Sequence, residues 1–143
     1  MTRPRILDLF CGAGGAGEGY RRAGFDVYGV DLTFMPRYPF PFFQGDALDT
    51  MWRLLAGDVI EFKHWHVPGS DKPWRVEEMM LSDFDAIHAS PPCQAYSVTR
   101  HSHHIEYPML VEPIRELLIR TGLPYVIENV VGAPLLNPTT LCG

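Results

Sequence analysis

The chain has 143 residues, of which 46% are hydrophobic and 20% charged, and its formal net charge is -5. This length predicts one domain over 1–143 that buries its own core, and it excludes two separate functional domains. No run approaches the roughly 18 apolar residues of a membrane span, and the start does not resemble a signal peptide, so we expect a cytoplasmic protein without a membrane partner. The acidic balance argues against nucleic-acid binding by the whole surface, but not by a local patch.

The first half of the chain predicts strands that alternate with helices. An apolar run over 5–10 leads into a glycine cluster over 11–19, which we interpret as the turn before a helix. Two further strand candidates, 25–31 and 42–46, each end in an acid, and a helix is expected over 47–56. Such alternation predicts an α/β fold with a parallel sheet.

The second half continues this alternation after an interruption. Residues 57–81 break the pattern and are interpreted as a surface insertion with a short helix around Arg75–Met80. A strand candidate over 84–90 follows, then a helix near 112–121 with a proline in its first turn and a glycine just past its end. A last strand is expected over 125–130.

The glycine cluster matches a pattern typical of cofactor sites. Gly12, Gly14 and Gly17 satisfy G-x-G-x-x-G, and Asp31 follows Gly12 by 19 residues at the end of the next strand candidate. Glycines let a ligand approach the backbone and the helix amides, and the acid can accept hydrogen bonds from ribose hydroxyls. The pattern predicts a nucleoside-containing cofactor, unless the glycines only permit a tight turn. Asp46 could likewise bind an adenine amino group or cap the helix that follows.

Two later segments carry reactive groups at strand ends. Cys93 lies between prolines and a polar loop directly after a strand candidate, which favours a reactive thiol at the sheet edge over a small buried hydrophobe. Glu128 and Asn129 end the last strand candidate. If Glu128 lies inside the sheet, burial would favour its protonated form, which can donate a hydrogen bond to a base; a solvated acid is the alternative.

Three motifs occur in an order that resembles one enzyme family. Asp8-Leu-Phe-Cys-Gly-Ala-Gly-Gly15, Ser90-Pro-Pro-Cys-Gln94 and Glu128-Asn-Val130 resemble the first, fourth and sixth motifs of the DNA cytosine-5 methyltransferases. The resemblance implies a mostly parallel, Rossmann-like S-adenosylmethionine-dependent methyltransferase sheet. It also implies an incomplete C-terminus, because the Gln-x-Arg-x-Arg motif, target-recognition region and final helix of the family are absent.

The same resemblance implies a biological setting and partners. We expect double-stranded DNA as substrate, a role in restriction-modification, and a bacterial or phage-infected cell. A second chain could supply the missing motifs of what would be the N-terminal half of such an enzyme. Activity of this chain alone stays open.

The resemblance also implies roles for individual residues. Cys93 would bond to C6 of cytosine, Glu128, beside Asn129, would hold N3 and the exocyclic amine, and C5 would then take the methyl group of S-adenosylmethionine without a metal. Asp31 would bind the ribose and Asp46 the adenine. The other cofactor-binding residues would be Phe10, Cys11, Gly12, Ala13, Gly14, Gly15, Leu32, Ala47 and Pro92. A DNA-contacting loop would include Gln94, Ser97, Thr99 and Arg100.

Other interpretations stay open at the level of sequence. An inactive remnant would bind S-adenosylmethionine without catalysis. An NAD-dependent oxidoreductase would explain the glycine cluster and Asp31, but not the segments around Cys93 and Glu128. A metal site at His101–His104, with His64 and His66, lacks the mixed cysteine and histidine spacing of structural zinc, so solvated histidines are the better account.

Overall fold

The computed structural model describes residues 2–65, 72–93 and 109–141. In chain order the elements are β1 Arg5–Leu9, α1 Gly15–Arg22, β2 Asp26–Asp31, β3 Phe42–Gln44, α2 Ala47–Leu55, β4 Ile60–His64, β5 Arg75–Met79, a 3-10 turn Leu81–Asp83, β6 Ala86–Ala89, α3 Val111–Thr121 and β7 Tyr125–Ile127. The described strands form one seven-stranded sheet in the order β5-β4-β3-β2-β1-β6-β7. This arrangement confirms the predicted mixed α/β class.

Most neighbouring strands in the sheet run parallel. The pairs β3-β2, β2-β1, β1-β6 and β6-β7 are parallel, whereas β3-β4 and β4-β5 are antiparallel. The helix α1 lies in the connection from β1 to β2 and α3 in the connection from β6 to β7, as parallel neighbours require, whereas α2 connects β3 to its antiparallel neighbour β4. The carboxyl ends of β1, β2, β3, β6 and β7 meet at one edge of the sheet, here called the carboxyl edge.

The helices α2 and α3 cover one face of the sheet with apolar side chains. Met51 and Leu54 of α2 and Ile114 and Leu118 of α3 are buried in one cluster with Leu7 and other residues of the strands. Burying each such side chain stabilises the fold by roughly 1.5–3 kcal/mol. None of the helices in the described ranges combines the length and the apolar content that crossing a bilayer requires.

The opposite face of the sheet is covered by α1 and by the segment after β2. Tyr38 and Phe42 form a smaller buried cluster there with Cys11. A side chain on Gly29 would clash with the Tyr38 ring, since a Cβ would lie 2.3 Å from the ring's Cζ atom. Asp8 and His88 lie on this face as register partners of β1 and β6.

The short helix predicted around Arg75–Met80 is wrong, because Arg75–Met79 forms strand β5. This strand pairs antiparallel with β4, with Ile60 opposite Met79. In β4 the side chains of Ile60 and Phe62 are buried and alternate with exposed neighbours, which is the period of a strand. The pairing with β4 overrides the helical preference of the Glu and Met residues in β5. The segment 57–81 therefore contributes buried side chains to the main core.

Candidate functional site

The three sequence motifs meet at the carboxyl edge. The glycine loop over 10–14 follows β1, residues 90–93 follow β6, and Glu128 and Asn129 follow β7. The strands β1, β6 and β7 are consecutive neighbours in the sheet. The ends of parallel strands are where open α/β sheets bind ligands, so this edge is the candidate active site.

The glycine loop turns sharply after β1. Phe10, Gly12 and Gly14 have positive φ angles of 56°, 51° and 98°. For Phe10 this conformation costs roughly 1 kcal/mol, since a Cβ is disfavoured there, and such strain often marks functional sites. The amide of Cys11 donates to the carbonyl of Val30 at 3.0 Å, which anchors the loop to β2.

Asp31 connects the glycine loop to the end of β2. Its Oδ2 atom accepts a hydrogen bond from the amide of Gly12 at 2.9 Å, and its Oδ1 atom accepts one from the amide of Thr33 at 2.9 Å. Each carboxylate oxygen keeps one further acceptor position, which a ribose hydroxyl can use. The adjacent Leu32 is 68% exposed, an open apolar surface beside these acceptors.

Asp46 caps α2, as one of the two sequence interpretations predicts. Its Oδ1 atom accepts a hydrogen bond from the amide of Asp49 at 2.9 Å. Ala47, the first residue of α2, is buried beneath it. The cap uses Oδ1 of Asp46, and Oδ2 makes no such capping bond. Capping of α2 and binding of a ligand by Asp46 are therefore compatible.

Backbone and amide hydrogen bonds join the segments that contain Cys93 and Glu128. The amide of Glu128 donates to the carbonyl of Ala89 at 3.0 Å, and Nδ2 of Asn129 donates to the carbonyl of Pro91 at 2.9 Å. Oδ1 of Asn129 accepts from the amide of Val130 at 2.9 Å. Asn129 therefore connects the segment before Cys93 to the end of β7 by a hydrogen bond. The sequence alone did not indicate this structural role.

The two described cysteines differ in their surroundings. Cys11 is buried, and its pKa is raised above the ordinary value by burial and then by the charges of Asp8 and Asp31. Cys93 is a free thiol that is only partly buried, at the carboxyl edge. The predicted nucleophile is thus the more accessible of these two thiols. Gln94, Ser97, Thr99 and Arg100 lie outside the described residues.

Glu128 is exposed, so of the two alternatives that the sequence left open, the structure favours the solvated acid over an acid inside the sheet. Its side chain is 66% exposed, because β7 ends at Ile127 and lies at the border of the described sheet. The carboxylate lies 3.4 Å from Oγ of Ser90 and 3.6 Å from Nε2 of His88. The alternative of a solvated acid at a strand end describes its position.

The buried acid at this site is instead Asp8 in the middle of β1. Its exposure is 0%, and neither carboxylate oxygen has a hydrogen-bond partner among the described residues. Burial raises the pKa of Asp8 to about 7, and the negative charges of Glu128 and Asp31 add to this effect. The sequence does contain a signal for this residue, because Asp8 interrupts the apolar run Ile-Leu-Asp-Leu. The resemblance included Asp8 in its first motif but implied no role for it.

His88 is a second buried polar residue that sequence reasoning missed. It is 4% exposed, and its Nδ1 and Nε2 atoms lie 2.8 Å from the Tyr20 hydroxyl and 2.7 Å from Oγ of Ser90. Burial lowers the pKa of His88, and the charge of Glu128 partly opposes that shift. The imidazole is therefore neutral at pH 7.

The metal interpretation gains no support from the described residues. Among residues 2–65, 72–93 and 109–141, no three histidine, cysteine or acidic side chains are grouped as metal ligands. His64 lies 3.5 Å from Glu77 in the β4-β5 hairpin. His66 and His101–His104 lie outside the described residues.

Comparison with known proteins identifies two similar methyltransferases, although no family model matches the chain. Over an alignment of 146 positions that covers 90% of the chain, it is 27% identical to the type II methyltransferase M.AgeI of Thalassovita gelatinovora. Over an alignment of 130 positions that covers 89% of the chain, it is 25% identical to the type II methyltransferase M.DdeI of Desulfomicrobium norvegicum. In both cases the chain spans 28% of the relative's length. The resemblance to methyltransferases that the three motifs indicate is thereby confirmed.

Proposed function

We propose that this chain transfers a methyl group from S-adenosylmethionine to C5 of cytosine in double-stranded DNA, with Cys93 as the covalent nucleophile. The observation that carries the proposal is the junction of the segments around Cys93 and Glu128, which Asn129 holds together at the carboxyl edge. Similarity to two type II methyltransferases supports methyl transfer. Because the chain spans 28% of each relative, the activity of a whole enzyme is part of the proposal.

The residues at the ends of β1, β2 and β3 fit S-adenosylmethionine, which supplies an electrophilic methyl group when bound. Asp31 has free acceptor positions for the ribose hydroxyls, and Oδ2 of Asp46 is available for the adenine amino group. The exposed Leu32 offers an apolar surface for the adenine ring. A Cβ at Gly12 would meet no atom within 4 Å, so the loop backbone is open to a ligand.

The charge of the site favours a cationic cofactor over NAD. Asp8, Asp31 and Glu128 lie close enough that the charges of the latter two raise the pKa of Asp8. The carboxylates of Asp31 and Glu128 attract the sulfonium and ammonium groups of S-adenosylmethionine and repel the pyrophosphate of NAD. The charges at the carboxyl edge therefore favour S-adenosylmethionine over NAD.

The chemistry requires activation of cytosine, because C5 is a poor nucleophile. The Cys93 thiolate would add to C6, and Glu128 would hold N3 and the exocyclic amine as electron density moves to C5. C5 would then form the bond to the methyl group while the bond between that methyl group and the sulfur of S-adenosylmethionine would break, which would leave S-adenosylhomocysteine. Loss of the C5 proton and cleavage of the bond between Cys93 and C6 would restore the base and the thiolate. The target base must leave the duplex to reach the edge.

Trapping on DNA tests this proposal. A duplex containing 5-fluorocytosine lacks the C5 proton, so the step that releases Cys93 is blocked. We expect an adduct that survives denaturation with the natural protein and S-adenosylmethionine, and none with Cys93→Ser. Cys142→Ser is the matched control and should leave the adduct unchanged. An undiminished adduct with Cys93→Ser would exclude Cys93 as the nucleophile.

Calorimetric titration separates the two alternatives from the proposal. S-adenosylhomocysteine should bind, and NAD should not compete with it. Binding of S-adenosylhomocysteine without any adduct on cytosine-containing DNA would instead favour an inactive remnant. Preferential binding of NAD would favour the oxidoreductase.

A further inference from the structure

We propose that Tyr20, His88 and Ser90 form a hydrogen-bonded chain that positions Glu128 and determines which of its carboxylate oxygens faces a bound base. This inference rests on the proposed role of Glu128 in holding cytosine. The three residues are positioning residues, because they act on the base only through Glu128. We call them the Tyr20–His88–Ser90 chain.

The distances define a continuous path from α1 to Glu128. The Tyr20 hydroxyl lies 2.8 Å from Nδ1 of His88, and Nε2 of His88 lies 2.7 Å from Oγ of Ser90. Oγ of Ser90 donates to Oε2 of Glu128 at 3.4 Å. The first two bonds are short and the last is long, which is common for a catalytic contact that tightens when substrate binds.

The path joins a rigid end to an exposed end. His88 is almost fully buried in β6, between Asp8 of β1 and Val126 of β7. Its ring also packs edge-on against the ring of Tyr20, with centroids 5.3 Å apart. Both ring nitrogens are engaged, so the imidazole cannot rotate without losing two hydrogen bonds. The side chain of Glu128, in contrast, is 66% exposed.

The protonation of His88 fixes the direction of the hydrogen bonds. A neutral imidazole has one donor nitrogen and one acceptor nitrogen. If Nε2 carries the proton, Tyr20 donates to Nδ1, Nε2 donates to Ser90, and the Ser90 hydroxyl donates to Oε2 of Glu128. If Nδ1 carries it, every bond reverses and Oε2 of Glu128 must be protonated to complete the chain.

The first arrangement suits the proposed reaction. With Oε2 accepting from Ser90, a proton bound by Glu128 resides on Oε1, where it can be donated to N3 of the base. The titratable groups that face His88 are Tyr20 from α1, Asp8 from β1 and Glu128 from the end of β7. The proposed role of Glu128 therefore favours the Nε2-protonated tautomer of His88 in the natural protein.

Nitrogen-15 NMR of His88 tests the chain without requiring methyl transfer. We expect the Nε2-protonated tautomer near pH 7 in the natural protein. Tyr20→Phe removes the hydroxyl that donates to Nδ1 and keeps the ring, so the Nδ1 resonance should move toward that of a nitrogen without a hydrogen bond. A natural protein with the proton on Nδ1 would overturn the assignment.

Adduct formation on 5-fluorocytosine duplex tests the link to Glu128. Ser90→Ala should slow adduct formation by about tenfold, the scale of one hydrogen bond to a charged group, with unchanged affinity for S-adenosylhomocysteine. It should also lower the thermal stability, because Nε2 of the buried His88 loses its partner. Ser90→Thr keeps a hydroxyl and should restore most of the rate. Ser82→Ala, at an exposed serine, is the matched control.

The two readouts separate failure of this inference from failure of the proposed function. If the natural protein forms no adduct, the proposed function fails, while the tautomer of His88 still decides whether the chain exists as described. If the natural protein forms the adduct and Ser90→Ala forms it at the same rate, the positioning role is overturned.

Discussion

The face of the sheet that packs against α2 and α3 is apolar, whereas the face beneath α1 contains Asp8 and His88, both almost completely buried. The first face stabilises the fold by excluding water from side chains such as Leu54 and Leu118. The second face includes an ionisable carboxyl that lacks a partner among the described residues, which costs stability when it is charged. Asp8 and His88 lie in β1 and β6, the strands whose carboxyl ends lead into the glycine loop and the segment of Cys93.

The largest expected difference between the two faces is at Asp8. Its folded pKa of about 7 lies above the ordinary value of 3.8, so its contribution to stability is complete below about pH 4 and is lost as the pH rises through 7. Asp8→Asn removes this titration and should increase the free energy of unfolding by about 4 kcal/mol near pH 8. Urea denaturation across this pH range measures the effect.

The exposed Asp49 provides the control for Asp8. Asp49→Asn should change the free energy of unfolding by less than about 1 kcal/mol. If Asp8→Asn changes the free energy of unfolding equally at low and high pH, folding does not shift the pKa of Asp8, which would contradict the burial of an unpaired carboxyl.

Truncation on the apolar face should show the opposite pattern. Leu118 is fully buried in α3, and Leu118→Ala should lower the free energy of unfolding by about 3 kcal/mol, independent of pH between about 5 and 9. The neighbouring Ile119 is exposed, so Ile119→Ala should cost less than about 1 kcal/mol. Equal losses from the two variants would contradict the assignment of the buried face of α3.

Asp46 has two roles, the observed N-cap of α2 and the proposed contact with adenine, and two substitutions can separate them. Asp46→Ala removes the N-cap of α2 and should lower the free energy of unfolding by about 1 kcal/mol. Asp46→Asn keeps a capping oxygen and should lower the free energy of unfolding by only a few tenths of a kcal/mol. If both variants weaken S-adenosylhomocysteine binding while only Asp46→Ala loses stability, the binding role is independent of the cap.

The smallest predicted effect is on the titration of His88. Glu128 partly opposes the lowering of the pKa of His88 by burial, so Glu128→Gln should lower that pKa further. Proton NMR titration of the histidine resonances measures it, with Glu116→Gln on the far side of the sheet as the control. An unchanged pKa of His88 in Glu128→Gln would show that the charge of Glu128 does not act on this ring.

The sequence was sufficient to predict the elements whose pattern is local. The apolar run of β1, the glycine loop and the α3 helix with its terminal glycine all follow from spacing, and the α/β class follows from their alternation. The sheet order brings the three motifs to one edge, as the prediction of a parallel sheet requires.

Features that depend on distant partners could not be predicted in this way. The residues 75–79 form a strand only because β4 lies beside them. Glu128 is exposed because of where β7 lies in the sheet, which no local pattern encodes. The hydrogen bond between Tyr20 and His88 joins residues that are 68 positions apart in the chain, so the local sequence around either residue does not predict it.

The position of the transferred methyl group tests the central claim most directly. The natural protein would be incubated with duplex DNA and S-adenosylmethionine that carries an isotopically labelled methyl group, and the nucleosides would be analysed by mass spectrometry. We expect label on C5 of cytosine with the natural protein and no label there with Cys93→Ser. Label on the exocyclic amine of cytosine or adenine would contradict it, since neither reaction needs a thiolate at C6.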